Sequence, residues 1–201
     1  MKLSFGPYWQ EHLWASPFCI RFELNKGGSK VRMFTSSYDR ARTLLRAALP
    51  DNEVVAIVAS NPHATRRSVR RHGWASGAPF DHLAEMGVQT EPALAAWTGA
   101  WWESDEADKA KPWHQRAVRL NWDEVDILLW NQIAHDLGVR PQADVLSKFV
   151  DLDRGISVNA YDDRGMDVTA LNAEAITDLY MRFDEWLLDH DRPRMLEAFQ
   201  R

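Results

Sequence analysis

Residues 145–170 read VLSKFVDLDRGISVNAYDDRGMDVTA. Three short runs suited to strands, Val145–Val150, Ile156–Tyr161 and Met166–Ala170, are joined by Asp151–Gly155 and by Asp162-Asp163-Arg164-Gly165. Both joins hold a glycine and turn-forming aspartates, which bond their own backbone and let the chain reverse. The stretch reads as an antiparallel meander, and the rest of the chain has to complete its sheet.

Downstream, Ile176, Leu179, Tyr180, Phe183, Trp186 and Leu187 recur at three- and four-residue steps, the spacing of an amphipathic helix. Asn172 or a neighbour caps it, Asp189–Pro193 ends it, and Pro193 suits the first turn of a short closing helix. Upstream, Val125, Leu128, Leu129, Ile133 and Leu137 mark a helix that opens near Asp123 and closes at Gly138. Its Asp123, Glu124 and Asp126 lie where the helix dipole favours negative charge. Before it, Val118 and Leu120 alternate with Arg119.

Near the N-terminus, Ile20, Phe22 and Leu24 alternate with Arg21 and Glu23 as in a half-buried strand. Asn25–Gly28 turns the chain, and Val31–Phe34 is expected to pair back as a second strand. Ser36 or Ser37 then caps a helix whose Tyr38, Ala41, Leu44, Leu45 and Ala48 share a face and which stops at Pro50 and Asp51. Val54–Ala59 is apolar throughout, so it reads as a strand buried on both faces and as the central one. Residues 60–116 are broken by Pro62, Gly73, Gly77, Pro79, Pro92, Gly99 and Pro112, leaving room only for short helices such as Asp81–Met86 and Pro92–Trp102.

The elements add up to a single α+β domain over residues 1–201, with an irregular Trp- and Arg-rich middle at about 60–116. The sheet is expected to be antiparallel or mixed, with helices packed mainly on one face and Ile176–Leu187 as the principal cover. With 201 residues, 45% hydrophobic and 26% charged, the chain matches a soluble globular protein and excludes wholesale disorder. No apolar run approaches the roughly 20 residues of a membrane span, and Pro7, Glu11 and His12 interrupt any leader-like stretch, so a cytoplasmic protein with no membrane partner is expected. The single cysteine, Cys19, forms no internal disulfide and is assigned to the core.

Residues 1–100 carry 12 Lys and Arg against 8 Asp and Glu, whereas residues 101–201 carry 12 against 21, within a net charge of −5. An acidic half favours a basic partner and repels a phosphate backbone. The usual nucleotide-loop, nucleophile-elbow and zincin motifs are missing, and the seven histidines show no metal-ligand spacing. No catalytic residue, metal or cofactor is therefore assigned.

Three constellations remain. Trp97, Trp101 and Trp102 adjoin Glu103, Asp105, Glu106 and Asp108, an acidic lip beside aromatic anchors of the kind that dominates protein interfaces. They support the leading expectation: a non-enzymatic protein-binding domain of the immunity or antitoxin type, neutralising a basic cognate toxin. The alternative is a metal- or anion-binding enzyme with its site between the Asp162–Asp167 hairpin and the Asp189–Asp191 helix end, where Arg164 positions an anionic group. The third is nucleic-acid binding through Arg66–Arg71, which the overall charge opposes.

The run Tyr161-Asp162-Asp163-Arg164-Gly165-Met166-Asp167-Val168, followed by Leu179-Tyr180, Asp184, Trp186-Leu187-Leu188 and Asp189 to Arg192, resembles the bacterial family of domain of unknown function 3885. Arg21-Phe22-Glu23-Leu24 and Tyr38-Asp39-Arg40-Ala41 are similar to that family's N-terminal marks, and the match is strongest over residues 146–195. The resemblance implies a fold and no catalytic residue. It singles out Tyr161, Asp162, Asp163, Arg164, Gly165, Asp167, Trp186 and Asp191 as residues of structure or site.

Overall fold

The computed structural model describes residues 5, 13, 15–60, 78–101 and 112–199. Among them seven strands form one sheet: β1 Cys19–Glu23, β2 Glu53–Ser60, β3 Ala95–Gly99, β4 Trp113–Asn121, β5 Val145–Asp151, β6 Ile156–Ala160 and β7 Gly165–Ala170. Their order is β1-β7-β6-β5-β2-β4-β3, and every pairing is antiparallel. The chain is thus α+β, and β5-β6-β7 is the meander read from residues 145–170. β2 is interior and paired on both sides, as its apolar run demands, although β5 holds the middle place.

The helices are α1 Lys30–Ala48, α2 Pro79–Glu85, α3 Trp122–Leu137, α4 Thr177–Arg182 and α5 Arg192–Phe199, with 3-10 turns at Asp184–Trp186 and Asp189–Asp191. None among the described residues is long and apolar enough to cross a membrane. Asn121 caps α3 by accepting the N–H groups of Asp123 and Glu124, while Glu124 accepts the N–H of Asn121 in return. Gly138 ends α3 in the left-handed region at φ +68°, where glycine meets no Cβ penalty.

Three sequence expectations fail, each because a tertiary contact outweighs a local pattern. Val31–Phe34 belongs to α1 and not to a strand. Ser29 is the cap, accepting the N–H of Arg32 at 3.3 Å, so the helix begins before either Ser36 or Ser37. In that register Val31 is 74% exposed, while Phe34 turns inward onto the rings of Tyr38 and Trp130. Ser37 is instead a buried residue inside the helix, tolerated because its hydroxyl donates to the carbonyl of Asp163.

The helix expected over Pro92–Trp102 is likewise not formed in its described part, residues 92–101. Ala95–Gly99 is an edge strand beside β4, with Trp97 opposite Gln115, and ladder pairing overrides the helix reading there. The segment Ile176–Leu187 is α-helical only over Thr177–Arg182, with a separate 3-10 turn at Asp184–Trp186, and is not the principal cover. Ile176, Leu179, Tyr180, Phe183 and Leu187 do turn inward, but Leu187 forms an antiparallel bridge to Phe22, and the N–H of Leu188 donates to the carbonyl of Arg21 at 2.8 Å. Backbone groups on the outer edge of β1 are satisfied by this non-helical return.

Strand alternation splits the sheet into two faces. On one, Phe22, Ala56, Val58, Val118, Phe149, Val158 and Val168 meet the buried faces of α1 and α3 in the main core. Asn131 and Gln132 are buried there only because they bond the sheet: Asn131 donates to the carbonyl of Val145 and Gln132 to that of Ala160. Arg42 of α1 grips Asp126 of α3 at 2.7–3.0 Å, so this acid ties two helices together beyond any dipole role. The opposite face carries a smaller apolar cluster around Ile57, Trp101, Trp113 and Val150. Beside that cluster it is polar, across β1, β7 and β6.

The register of α1 has a direct check. Phe34→Ala is expected to lower the unfolding free energy by about 3 kcal/mol, as for other buried aromatic truncations. Val31→Ala is expected to change it by less than about 0.5 kcal/mol. Urea titration of both variants measures this, and the reverse order would restore the strand reading.

Candidate functional site

Alternation that sends Ile20, Phe22, Val158 and Val168 into the core sends Cys19, Arg21, Ser157, Asn159, Asp167 and Thr169 to the opposite face. There they line a cavity of about 280 Å³, together with Lys148 from β5, Arg194 from α5, and Leu13 and Ser16 from the N-terminal segment. Arg21 forms its frame. Its guanidinium donates to both oxygens of Asp167 at 3.1–3.3 Å and to Asp191 at 3.1 Å, tying β1 to β7 and to the turn before α5. Asp167 and, less strongly, Asp191 hold the Arg21 charge more firmly than usual. Of the acids on the Asp162–Asp167 hairpin and at the Asp189–Asp191 helix end, between which the sequence reading placed an alternative site, Asp167 and Asp191 share Arg21 as a partner.

Lys148 lies deep in the cavity at 5% exposure, with its ammonium 5.2 Å from the centre of the Trp101 ring. Arg194 is exposed and donates to the carbonyl of Cys19 at 3.3 Å. Cys19 faces the cavity and not the core, a correction to the sequence reading. Burial, and after it the charge of Asp167, raises the pKa of its thiol, so it stays protonated and unreactive at neutral pH.

The other residues of the 161–167 run act locally. Asp162 accepts the N–H of Arg164 at 2.7 Å and pairs with its guanidinium, closing the turn on itself and leaving Arg164 exposed on the surface. Asp163 accepts from the amide of Asn25, which also bonds its carbonyl at 2.7 Å; burial raises its pKa despite that bond. Tyr161 lies across Gly165, where a Cβ would overlap the phenol. Burial and the Asp167 charge push the Tyr161 hydroxyl up to about 12. Trp186 stacks on Phe183 at 5.1 Å with Arg40 above it. Arg192 pairs with Asp184 and Asp189 at 2.8 Å.

A model for a domain of unknown function matches residues 3–191. The chain belongs to that family, DUF3885. No curated protein and no solved structure matches the chain. The family residues therefore divide by role: Asp162, Asp163, Arg164 and Gly165 set the hairpin, Trp186 packs over α1, and Asp167 and Asp191 reach the cavity through Arg21.

Of the tryptophan-rich constellation, Trp97 is half-buried on β3 and Trp101 is 1% exposed, its ring 6.0 Å from that of Trp113. Trp101 is thus a residue of the second core and not an anchor at the surface. Trp102, Glu103, Asp105, Glu106, Asp108 and the Arg66–Arg71 run lie outside the described residues. Sequence reading missed Lys148, Ser157, Asn159, Thr169 and Arg194. Most of them occupy the polar positions of alternating strands, where period two distinguishes core from non-core but not solvent from cavity.

Two measurements probe the run. Gly165→Ala is expected to cost about 1–3 kcal/mol by overpacking against Tyr161. In a Tyr161→Ala background the added cost is expected to vanish, and strict additivity would show that the two positions do not touch. In the unfolded chain Tyr161 titrates near about 10, whereas the folded group is held up to about 12. The folded state keeps a proton that the unfolded state releases, so this contribution is full below about pH 10 and fades as pH climbs toward the folded value. Tyr161→Phe is expected to flatten the alkaline loss of stability followed by circular dichroism; an unchanged slope would place the buried phenol elsewhere.

Proposed function

We propose that the protein binds a small anionic molecule in the cavity on the face of its sheet opposite α1 and α3. The observation that carries this reading is the lining itself: three cations, Arg21, Lys148 and Arg194, converge with neutral hydroxyl and amide groups on one concave space where, among the described residues, Asp167 is the one lining carboxylate and is held by Arg21. Counted over the described residues, with Asp191 included, the cations outnumber the carboxylates. An ammonium placed as deep as that of Lys148 acts through a poorly hydrated medium, where its field is weakly screened. Ser16, Ser157, Asn159 and Thr169 supply the neutral donors and acceptors that orient a ligand.

The volume of about 280 Å³ sits at the lower end of small-molecule sites, which suits a short carboxylic acid or phosphate monoester. Binding without turnover is the reading favoured by the chemistry present. The pKa of the Cys19 thiol is raised and not lowered, which disfavours it as a nucleophile. A second reading, recognition of a basic protein partner, is supported by the excess of acids over bases in residues 101–201.

Thermal melts against a panel of short carboxylates and phosphate monoesters test the first reading. A ligand at 100 times its Kd is expected to stabilise the native state by about 2.7 kcal/mol, which raises Tm by roughly 5–10 °C for a chain of this size. Lys148→Met keeps the aliphatic stem and removes the charge, so it is expected to abolish the shift. A panel with no stabilising anion, or a shift that survives Lys148→Met, would overturn the assignment.

A further inference from the structure

A second concavity, about 570 Å³, opens at the end of the sheet where β2 begins and β5 ends. Its floor is apolar, formed by Leu49, Val54, Val55, Leu94, Val150 and Leu152, and Leu94 stands 48% exposed at its side. The rim carries four carboxylates, Asp51, Glu53, Asp151 and Asp153, against two cations. Both cations are engaged. Arg119 lies 3.7 Å from Glu53; Arg154 lies 3.9 Å from Asp151 and donates to the carbonyl of Ala48, at the end of α1, at 2.9 Å. Asp51 and Asp153 meet no cation among the described residues, and both are exposed.

We infer that this groove receives a basic segment of a partner protein, with one aliphatic side chain on the apolar floor and flanking arginines or lysines against the rim. The inference rests on the basic-partner reading and names the surface that serves it. Charge complementarity selects the occupant. A second copy of this chain would bring a net charge of −5 to an acidic rim, and an anionic ligand would be repelled there. Apolar floor and acidic rim do different work: burial of the aliphatic side chain holds the segment, while the carboxylates speed its capture and reject acidic competitors.

The groove and the cavity under Arg21 share no lining residue, so each can be tested with the other intact. The probes are the blocked peptides Ac-RRLRR-NH2, Ac-RRSRR-NH2 and Ac-EELEE-NH2, titrated calorimetrically into the full chain at low and at physiological salt. The leucine peptide is expected to bind about tenfold more tightly than the serine peptide, a difference of about 1.4 kcal/mol, and the glutamate peptide is expected not to bind. Leu94→Ser is expected to erase the leucine advantage. Asp51→Asn with Asp153→Asn is expected to weaken binding at low salt by about tenfold and to remove most of the salt dependence. Lys148→Met is expected to leave peptide binding unchanged. All substitutions of the groove are at exposed positions, and a thermal melt confirms that each variant is folded.

Binding of the basic peptides that survives Leu94→Ser and the aspartate changes would overturn the groove while leaving a basic-partner role standing. Failure of every basic peptide to bind would overturn both. A concentration-dependent dimer in sedimentation that Leu94→Ser dissolves would assign the groove to a second copy and overturn the inference.

Discussion

Seven antiparallel strands close their hydrogen bonds within one plane, and that closure obliges each strand to divide its side chains between two faces. One face must be covered, because it is apolar from β1 across to β4; α1 and α3 supply the cover and are pinned to each other by Arg42 and Asp126. Once that face is assigned, the other follows with no further freedom. A one-residue slip of register would bury Arg21, Asp167 and Lys148 under helices and expose Phe22, Val168 and Phe149. The cost of burying charge without its partners makes such a slip prohibitive.

The run from Tyr161 to Asp167 shows how a hairpin and a site are built from the same residues. Asp162 bonds Arg164 and Asp163 bonds Asn25, so both hold the turn. Gly165 is small because the phenol of Tyr161 occupies the space beside it. Two residues later Asp167 falls on the polar face and meets Arg21, whose second carboxylate, Asp191, comes from the far end of the chain. A membership that spans residues 3–191 thus includes both halves of this clasp.

Electrostatics differ at the two concavities. Under Arg21 the lining is cationic, with Lys148 held against the Trp101 ring; at the start of β2 the rim is anionic over aliphatic side chains. Molecules of opposite charge would be drawn to different places on one sheet.

The meander, α3 with its left-handed Gly138, the buried run of β2 and the α+β class are legible in the sequence, because period-two alternation, turn aspartates and helix caps act within a few residues of chain. The start of α1, the strand at Ala95–Gly99 and the shortness of α4 are not, since each is decided by a contact distant in sequence: Phe34 with Trp130, Trp97 opposite Gln115, Leu187 with Phe22. The candidate site shows the same division. The sequence could mark Asp167 and Asp191 as acids of interest, but only the tertiary structure could make Arg21 their common partner and Lys148 their neighbour in a cavity. Convergence of side chains from β1, β5, β7 and α5 is a property of three-dimensional packing, and no local pattern encodes it.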